Sequence, residues 1–344
     1  MTHTRPCFRD WRRAVAASAL LAMPAFAQSP RPADAIRPVA TYSIVARDSL
    51  TGEMGVAVQS HWFSVGAIVP WAQAGVGAVA TQSFVDPSYG PLGLELMRMG
   101  RSASEALLAL VSTDSNEAVR QVAMVDAGGD VTAHTGSSAI YAAGHHIGDG
   151  YSTQANMMER PTVWDAMARA YEESEGDLAE RLLAALEAAQ AEGGDIRGRQ
   201  SAALVVVSAE ATGLPWVDRR FDLRVEDHPT PVAELRRLVR LQRAYLKLNE
   251  GDEWVTAGEV DRAMEAYRDA MELVPDAATN GEAPFWVGVT LAASGRDAEA
   301  APYLARAQAQ DGRWAELILR LPRSGLLPSA EMAERLSRAM RGGG

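Results

Sequence analysis

Residues 193–207 concentrate reactive side chains at the mouth of an apolar run. Gly193, Gly194 and Gly198 shape a turn that carries Asp195, Arg197, Arg199, Gln200 and Ser201. The apolar residues 202–207 follow at once. An acid, two guanidiniums, an amide and a hydroxyl held on a rigid strand end can bind an anionic or amide-bearing molecule. Guanidinium suits carboxylate because its N–H fork matches the two oxygens. The plain alternative is a structural ion-pair cluster. Two other segments, 41–62 and 148–158, have the same mixture of small, polar and aromatic residues. They contribute Thr41, Ser43, Arg47, Ser60 and His61, then Asp149 and Asn156.

The residue inventory narrows the chemistry. The one cysteine is Cys7 and the one lysine is Lys247, so residues 28–228 hold neither. A thiolate nucleophile, a Ser–Lys dyad and a Schiff-base lysine are therefore absent from that region. A Gly-x-Ser-x-Gly turn is also absent, which disfavours an α/β-hydrolase. The six histidines, His3, His61, His134, His145, His146 and His228, show no H-x-H or H-x-x-x-H spacing. Adjacent His145 and His146 on a strand would point to opposite faces. No metal and no cofactor is expected. A net charge of −11 argues against a nucleic-acid partner.

The elements that must position these groups are read from periodicity. Residues 40–48 and 54–60 form a hairpin around the turn 49–53, and 75–82, which ends on Gln82, is a third strand. Residues 91–99 and 102–112 read as helices, the second opened by a Ser102/Glu105 capping box. A second hairpin spans 121–126 and 131–135, and 151–156 follows. Amphipathic helices span 162–174 and 177–192, then strands 200–207 and 221–225. Helices inserted between antiparallel hairpins predict an α+β fold of packed sheets with helices outside. A Rossmann arrangement would need regular βαβ alternation and a glycine-rich phosphate loop.

Arg5, Arg9, Arg12 and Arg13, the apolar run 14–22 and an A-x-A site at Ala25 and Ala27 predict a secretory signal peptide, residues 1–27. The chain is then exported to the periplasm or beyond. Its removal takes Cys7 with it and leaves a net charge near −14. Residues 28–39 are proline-rich and read as a linker. The first domain covers 40–228 and, having a full set of strands, is expected to fold alone.

After Pro229-Thr230-Pro231 the chain, 232–340, is helical. Gly258, Ala263, Tyr267 and Ala270 recur 37 residues on as Gly295, Ala300, Leu304 and Ala307. The small residues let paired helices approach closely. This resembles a tetratricopeptide repeat, whose period is 34. Pro302 and the Leu304 replacement depart from that pattern. About two units are fewer than a solenoid needs alone. A protein partner docking on these helices is expected; self-association is left open.

Several motifs in order resemble the bacterial family called domain of unknown function 1028. They are 41–48, 51–60, 69–82, 89–93, 134–136, 148–151, Gln154-x-Asn156-Met157 and 193–207. That family is similar to N-terminal nucleophile (Ntn) hydrolases, which have a four-layer αββα sandwich and usually cleave amide bonds. The resemblance implies Thr41 as nucleophile, with Ser43 second, its own α-amine acting as base. An α-amine has a pKa near ~8. Thirteen residues, 28–40, would precede Thr41 after leader removal, so a second cut at Ala40–Thr41 is required. The alternative for Thr41 is an ordinary strand threonine. Around such a nucleophile, Asn156 can donate to an oxyanion. Ser60 lies at the returning hairpin end. Arg47, His61, Gln82, Asp149, Asp195, Arg197, Arg199 and Gln200 are the candidates for binding substrate.

The expected function is hydrolysis of an amide or peptide-like bond in a small substrate. The rival is a non-catalytic binding protein on the same scaffold.

Overall fold

The computed structural model describes residues 41–342. The expected signal peptide, 1–27, and linker, 28–39, lie outside the described residues.

The chain runs β1 (Thr41–Arg47), β2 (Met54–Ser60), β3 (Pro70–Gln73), β4 (Gly77–Ser83), α1 (Tyr89–Arg98) and α2 (Ala103–Val111). Then come β5 (Arg120–Asp126), β6 (Val131–Thr135), β7 (Gly144–Gly148), β8 (Tyr151–Asn156), α3 (Val163–Glu173) and α4 (Leu178–Ala191). β9 (Ser201–Val207), α5 (Pro215–Asp218) and β10 (Arg219–Val225) follow. The remainder is helical: α6 (Pro231–Thr256), α7 (Val260–Leu273), α8 (Glu282–Ala293), α9 (Asp297–Gln310), α10 (Trp314–Leu317) and α11 (Ala330–Gly342).

Two antiparallel sheets result, one in the order β10-β9-β2-β1-β8-β7 and one in the order β3-β4-β5-β6. Strand alternation sorts their side chains into layers. Val45, Val56, Val58, Ala80, Ala123 and Val205 pack between the sheets. Tyr42, Ile44, Ala57 and Leu204 face the other way, onto Met167 and Tyr171 of α3 and Leu182 and Leu186 of α4. Val79, Val122 and Met124 meet Leu94 of α1 and Leu107 of α2. The capping box of α2 is present, with Glu105 N donating to Ser102 Oγ at 3.2 Å and Ser102 N to Glu105 Oε2 at 3.1 Å. Gly90 lets α1 approach β3, since a Cβ there would lie 2.3 Å from the Trp71 ring.

Two strands escaped the periodicity reading. β3 opens on Pro70 and lies at a sheet edge, where a missing N–H is tolerated. β7 is also an edge strand, short and bounded by Gly144 and Gly148, which carry little strand propensity.

In the helical region α7 and α9 each have 14 residues and start 37 apart. Ala263, Tyr267 and Ala270 are buried, as are Ala300, Leu304 and Ala307. α9 continues through Pro302 to Gln310, short of one backbone bond. The first turns of α6 belong to the sheet's core: Val232, Leu235 and Val239 pack with the outer face of the larger sheet and α4. Arg236 binds Glu180 and Glu187 of α4, and Arg243 reaches Asp177 and Glu180 at 2.6 and 3.1 Å. The two halves of the chain thus share α6.

Candidate functional site

The face between the sheets is apolar along most of its length and polar at one end. Register explains this. Thr41, the first residue of β1, lies opposite Asn156 of β8 on one side and Ser60 of β2 on the other. Ser60 in turn lies opposite Ser201 of β9. Ser43 and Gln154 form the next pair inward. In the facing sheet Gln82, Gln121 and Thr135 are aligned across β4, β5 and β6. Thr41, Ser43, Ser60, Gln82, Gln121, Gln154, Asn156 and Ser201 are all fully buried.

Buried amides and hydroxyls are tolerable only when hydrogen-bonded, and here they bond mainly to one another. Ser43 Oγ donates to Gln82 Oε1 and accepts from Gln154 Nε2, both at 2.6 Å. Gln82 Nε2 donates to Gln121 Oε1 at 2.7 Å and to the Thr41 carbonyl at 3.3 Å. Asn156 Nδ2 donates to Gln121 Oε1 at 3.0 Å and approaches the Thr41 carbonyl at 3.5 Å. Thr41 Oγ1 donates to Ser60 Oγ at 3.3 Å. Among the described residues, Asn156 Oδ1 is buried without a hydrogen-bond partner. None of these side chains titrates near neutral pH. The network therefore fixes a hydroxyl and offers amide donors, but none of its side chains is a base.

The 193–200 turn closes the same end. Asp195 Oδ2 accepts from the His61 backbone N–H at 2.9 Å, directly after Ser60. Arg197 clamps that carboxylate through Nε at 3.2 Å and Nη2 at 3.0 Å. Arg197 thus braces Asp195. The His61 ring places a buried Nδ1, without a hydrogen-bond partner among the described residues, against Gly198 of the turn. Arg199 is exposed, and its charge partly offsets the burial that pushes the Tyr42 phenol far up. Gln200 accepts from His228 N through its carbonyl at 2.8 Å.

Of the residues expected from sequence, Thr41, Ser43, Ser60, Gln82 and Asn156 converge, with His61, Asp195 and Arg197 beside them. Arg47 and Asp149 do not join them. Arg47 ends β1, six residues from Thr41, roughly 20 Å at strand rise. Asp149 lies in the turn after β7, beside Gly150, whose carbonyl binds Arg47 N at 2.8 Å. Gln121 and Gln154 carry the network and had no assigned role. For Gln121 the signal was a long amide at the end of a face otherwise made of Ala123 and Val125; Gln154, between Ser152 and Asn156 on one face of β8, gave no such contrast. Among the described residues no cluster of histidine, cysteine and acid suits a metal ion.

A histidine lies one shell out. Gln121 Nε2 donates to Thr135 Oγ1 at 2.9 Å, and Thr135 Oγ1 bonds His145 Nδ1 at 2.8 Å. Burial, then the charges of His134 and His146, hold His145 below the ordinary histidine pKa. Between that lowered value and about 6.5 the unfolded chain binds more protons than the folded one. Stability from His145 is thus full above about pH 6.5 and is lost as pH falls through the folded pKa. The melting temperature should drop between pH 7.5 and pH 5.5, and His145→Gln should flatten that drop. An equally steep drop in the variant would remove His145 as its source.

These features define an α+β protein with a closed hydroxyl–carboxamide centre between the ends of two antiparallel sheets. The chain belongs to the family of unknown function DUF1028, which it matches over residues 41–235. A crystal structure of a protein from Silicibacter pomeroyi, assigned to DUF1028, is 30% identical with a TM-score of 0.53. The likeness covers 58% of this chain and 85% of that one. No curated protein matches the chain.

Proposed function

We propose that this protein is a secreted or periplasmic hydrolase of an amide or peptide-like bond, built on an Ntn-type αββα sandwich. Thr41 is its nucleophile after cleavage of the Ala40–Thr41 bond. The observation that carries this reading is the buried row Asn156–Thr41–Ser60, backed by Gln82 and Gln121. It holds a hydroxyl among amides that cannot take its proton. A freed Thr41 amine would supply the base from the same residue. Two further facts support it. The family match begins at Thr41, and helices cover the outer faces of both sheets.

Processing adds water across the Ala40–Thr41 peptide bond, by self-cleavage or by another protease. It leaves a carboxylate on Ala40 and an amine on Thr41. The amine takes the proton from Oγ1 as the oxygen attacks the substrate carbonyl. The carboxamide N–H of Asn156 stabilises the oxyanion. The amine then returns its proton to the departing nitrogen, and water hydrolyses the ester left on Thr41.

Thr41 is fully buried in the uncut chain, and that favours a second reading. In it the domain stays inactive and the protein binds a partner through its tetratricopeptide-like helices. Intact mass of the protein exported by its native host separates the two. The expected chain starts at Thr41. A stable, exported chain starting only at Gln28 would end the α-amine mechanism.

A further inference from the structure

A polar cavity, about 160 Å³, lies at the far end of β1 from Thr41. It forms where three hairpin turns meet α3 and α4. Arg47 and Arg181 line it, with Gly129, Gly150, Tyr171 and, at an exposed position, Asp149.

Each of the two guanidiniums has an unanswered donor. Among the described residues, Arg47 Nε and Arg181 Nε are both buried without a hydrogen-bond partner. Arg181 has some compensation: its Nη1 lies 3.5 Å from Asp48 Oδ2, and the guanidinium sits 4.1 Å from the Tyr171 ring centre. Asp48 already accepts from Leu50 N at 2.8 Å and Thr51 N at 2.9 Å, so its charge is divided among several donors. Arg47 forms no ion pair among the described residues. A half-buried guanidinium outside any ion pair is costly, and buried polar atoms normally find partners. The turns leave open space beside the two arginine side chains. Gly129, at φ +93°, and Gly150, at φ +74°, carry no side chain into the space.

We infer that this cavity is a binding site for a small oxyanion, held by the guanidiniums of Arg47 and Arg181 and separate from the Thr41 centre. A carboxylate, a sulfate or a phosphate presents the required pair of acceptor oxygens to guanidinium N–H groups. The opposing charge at the site is Asp149, whose carboxylate weakens the field felt by an anion. This sets the sign of one substitution in advance.

The test is calorimetric titration of the full chain at pH 7.5 and low salt. Sodium sulfate, sodium phosphate and sodium acetate are the probes, with sodium chloride as the ionic-strength control. Saturable binding is expected with at least one oxyanion and not with chloride. Sulfate or phosphate binding identifies an inorganic-type ligand; acetate binding alone identifies the carboxylate of an organic acid. Arg47→Gln should weaken binding about tenfold or more, the effect of losing a charge-assisted hydrogen bond. Asp149→Asn, at an exposed position that leaves folding intact, should tighten it by about threefold. No saturable heat with any oxyanion would overturn the proposal. So would equal affinity in a folded Arg47→Gln protein, or unchanged or weaker affinity in Asp149→Asn. If Arg47→Gln does not fold, the Asp149→Asn result decides.

Discussion

Replacing Thr41 by alanine should abolish hydrolysis and leave the fold in place. The nucleophile and the base of the proposed mechanism both belong to this residue, but alanine removes only the hydroxyl. The amine alone cannot form the ester, so kcat/KM should fall at least about a thousandfold. The structural cost is small. The hydroxyl's bond to Ser60 is long, 3.3 Å, and each neutral hydrogen bond lost costs about 1 kcal/mol net. Folded domains have about 5–15 kcal/mol in hand. Thr41→Ser keeps a hydroxyl and should retain most of the activity. The measurement is turnover of amide substrates by the processed protein, alongside a thermal melt. An alanine variant that is folded, processed and still active would remove Thr41 from the chemistry. In the processed wild type, kcat/KM should rise with pH as the amine loses its proton, near pH ~8.

Ending the chain at Thr230 should prevent the sheets from folding cooperatively. From sequence, residues 40–228 hold every strand and are expected to fold alone. The tertiary structure leads to the opposite expectation, because the start of α6 completes the outer core of the larger sheet. Val232, Leu235 and Val239 are nearly or fully buried there. Each such side chain contributes roughly 1.5–3 kcal/mol on burial, so losing three removes about 5–9 kcal/mol. That approaches the whole stability of a typical domain, about 5–15 kcal/mol. The truncation also strips Arg236 from Glu180 and Glu187. A chain ending at Arg243 keeps these contacts and should melt cooperatively. The family match, which runs to residue 235, takes in the first turn of α6 with Val232 and Leu235. A sharp, near-native melt of the chain ending at Thr230 would refute the argument.

Most of the secondary structure was legible because it rests on local pattern. Alternating small and apolar residues place β1, β2, β4, β5 and β9. The Ser102 cap places α2. β3 and β7 were not legible, since edge strands carry Pro70, Gly144 and Gly148 with only partial burial to reveal them. Part of the centre was legible too. Thr41, Ser43, Ser60, Gln82 and Asn156 could be named as polar residues on strands of small and apolar side chains. Their partners Gln121 and Gln154 could not be given a role, because an amide in a strand acquires one only from what it faces.

The sequence by itself determined which groups are available to react: hydroxyls, amides, carboxylates, histidines and arginines in residues 41–228, with no cysteine and no lysine. It also determined the period-two alternation that puts Thr41 and Ser43 on one strand face. The tertiary structure alone decided which of these groups meet. Register sets Asn156 and Ser60 on either side of Thr41. The stacking of two sheets brings Gln82 and Gln121 onto them from the facing side. It also gathers Arg47, at the opposite end of the same strand, with Arg181 and the turns 128–129 and 149–150 around one cavity. The physical reason is that alternation fixes the face of a side chain from its nearest neighbours in the chain. Register and sheet stacking depend on hydrogen bonds and packing between segments far apart in sequence, which no local pattern records.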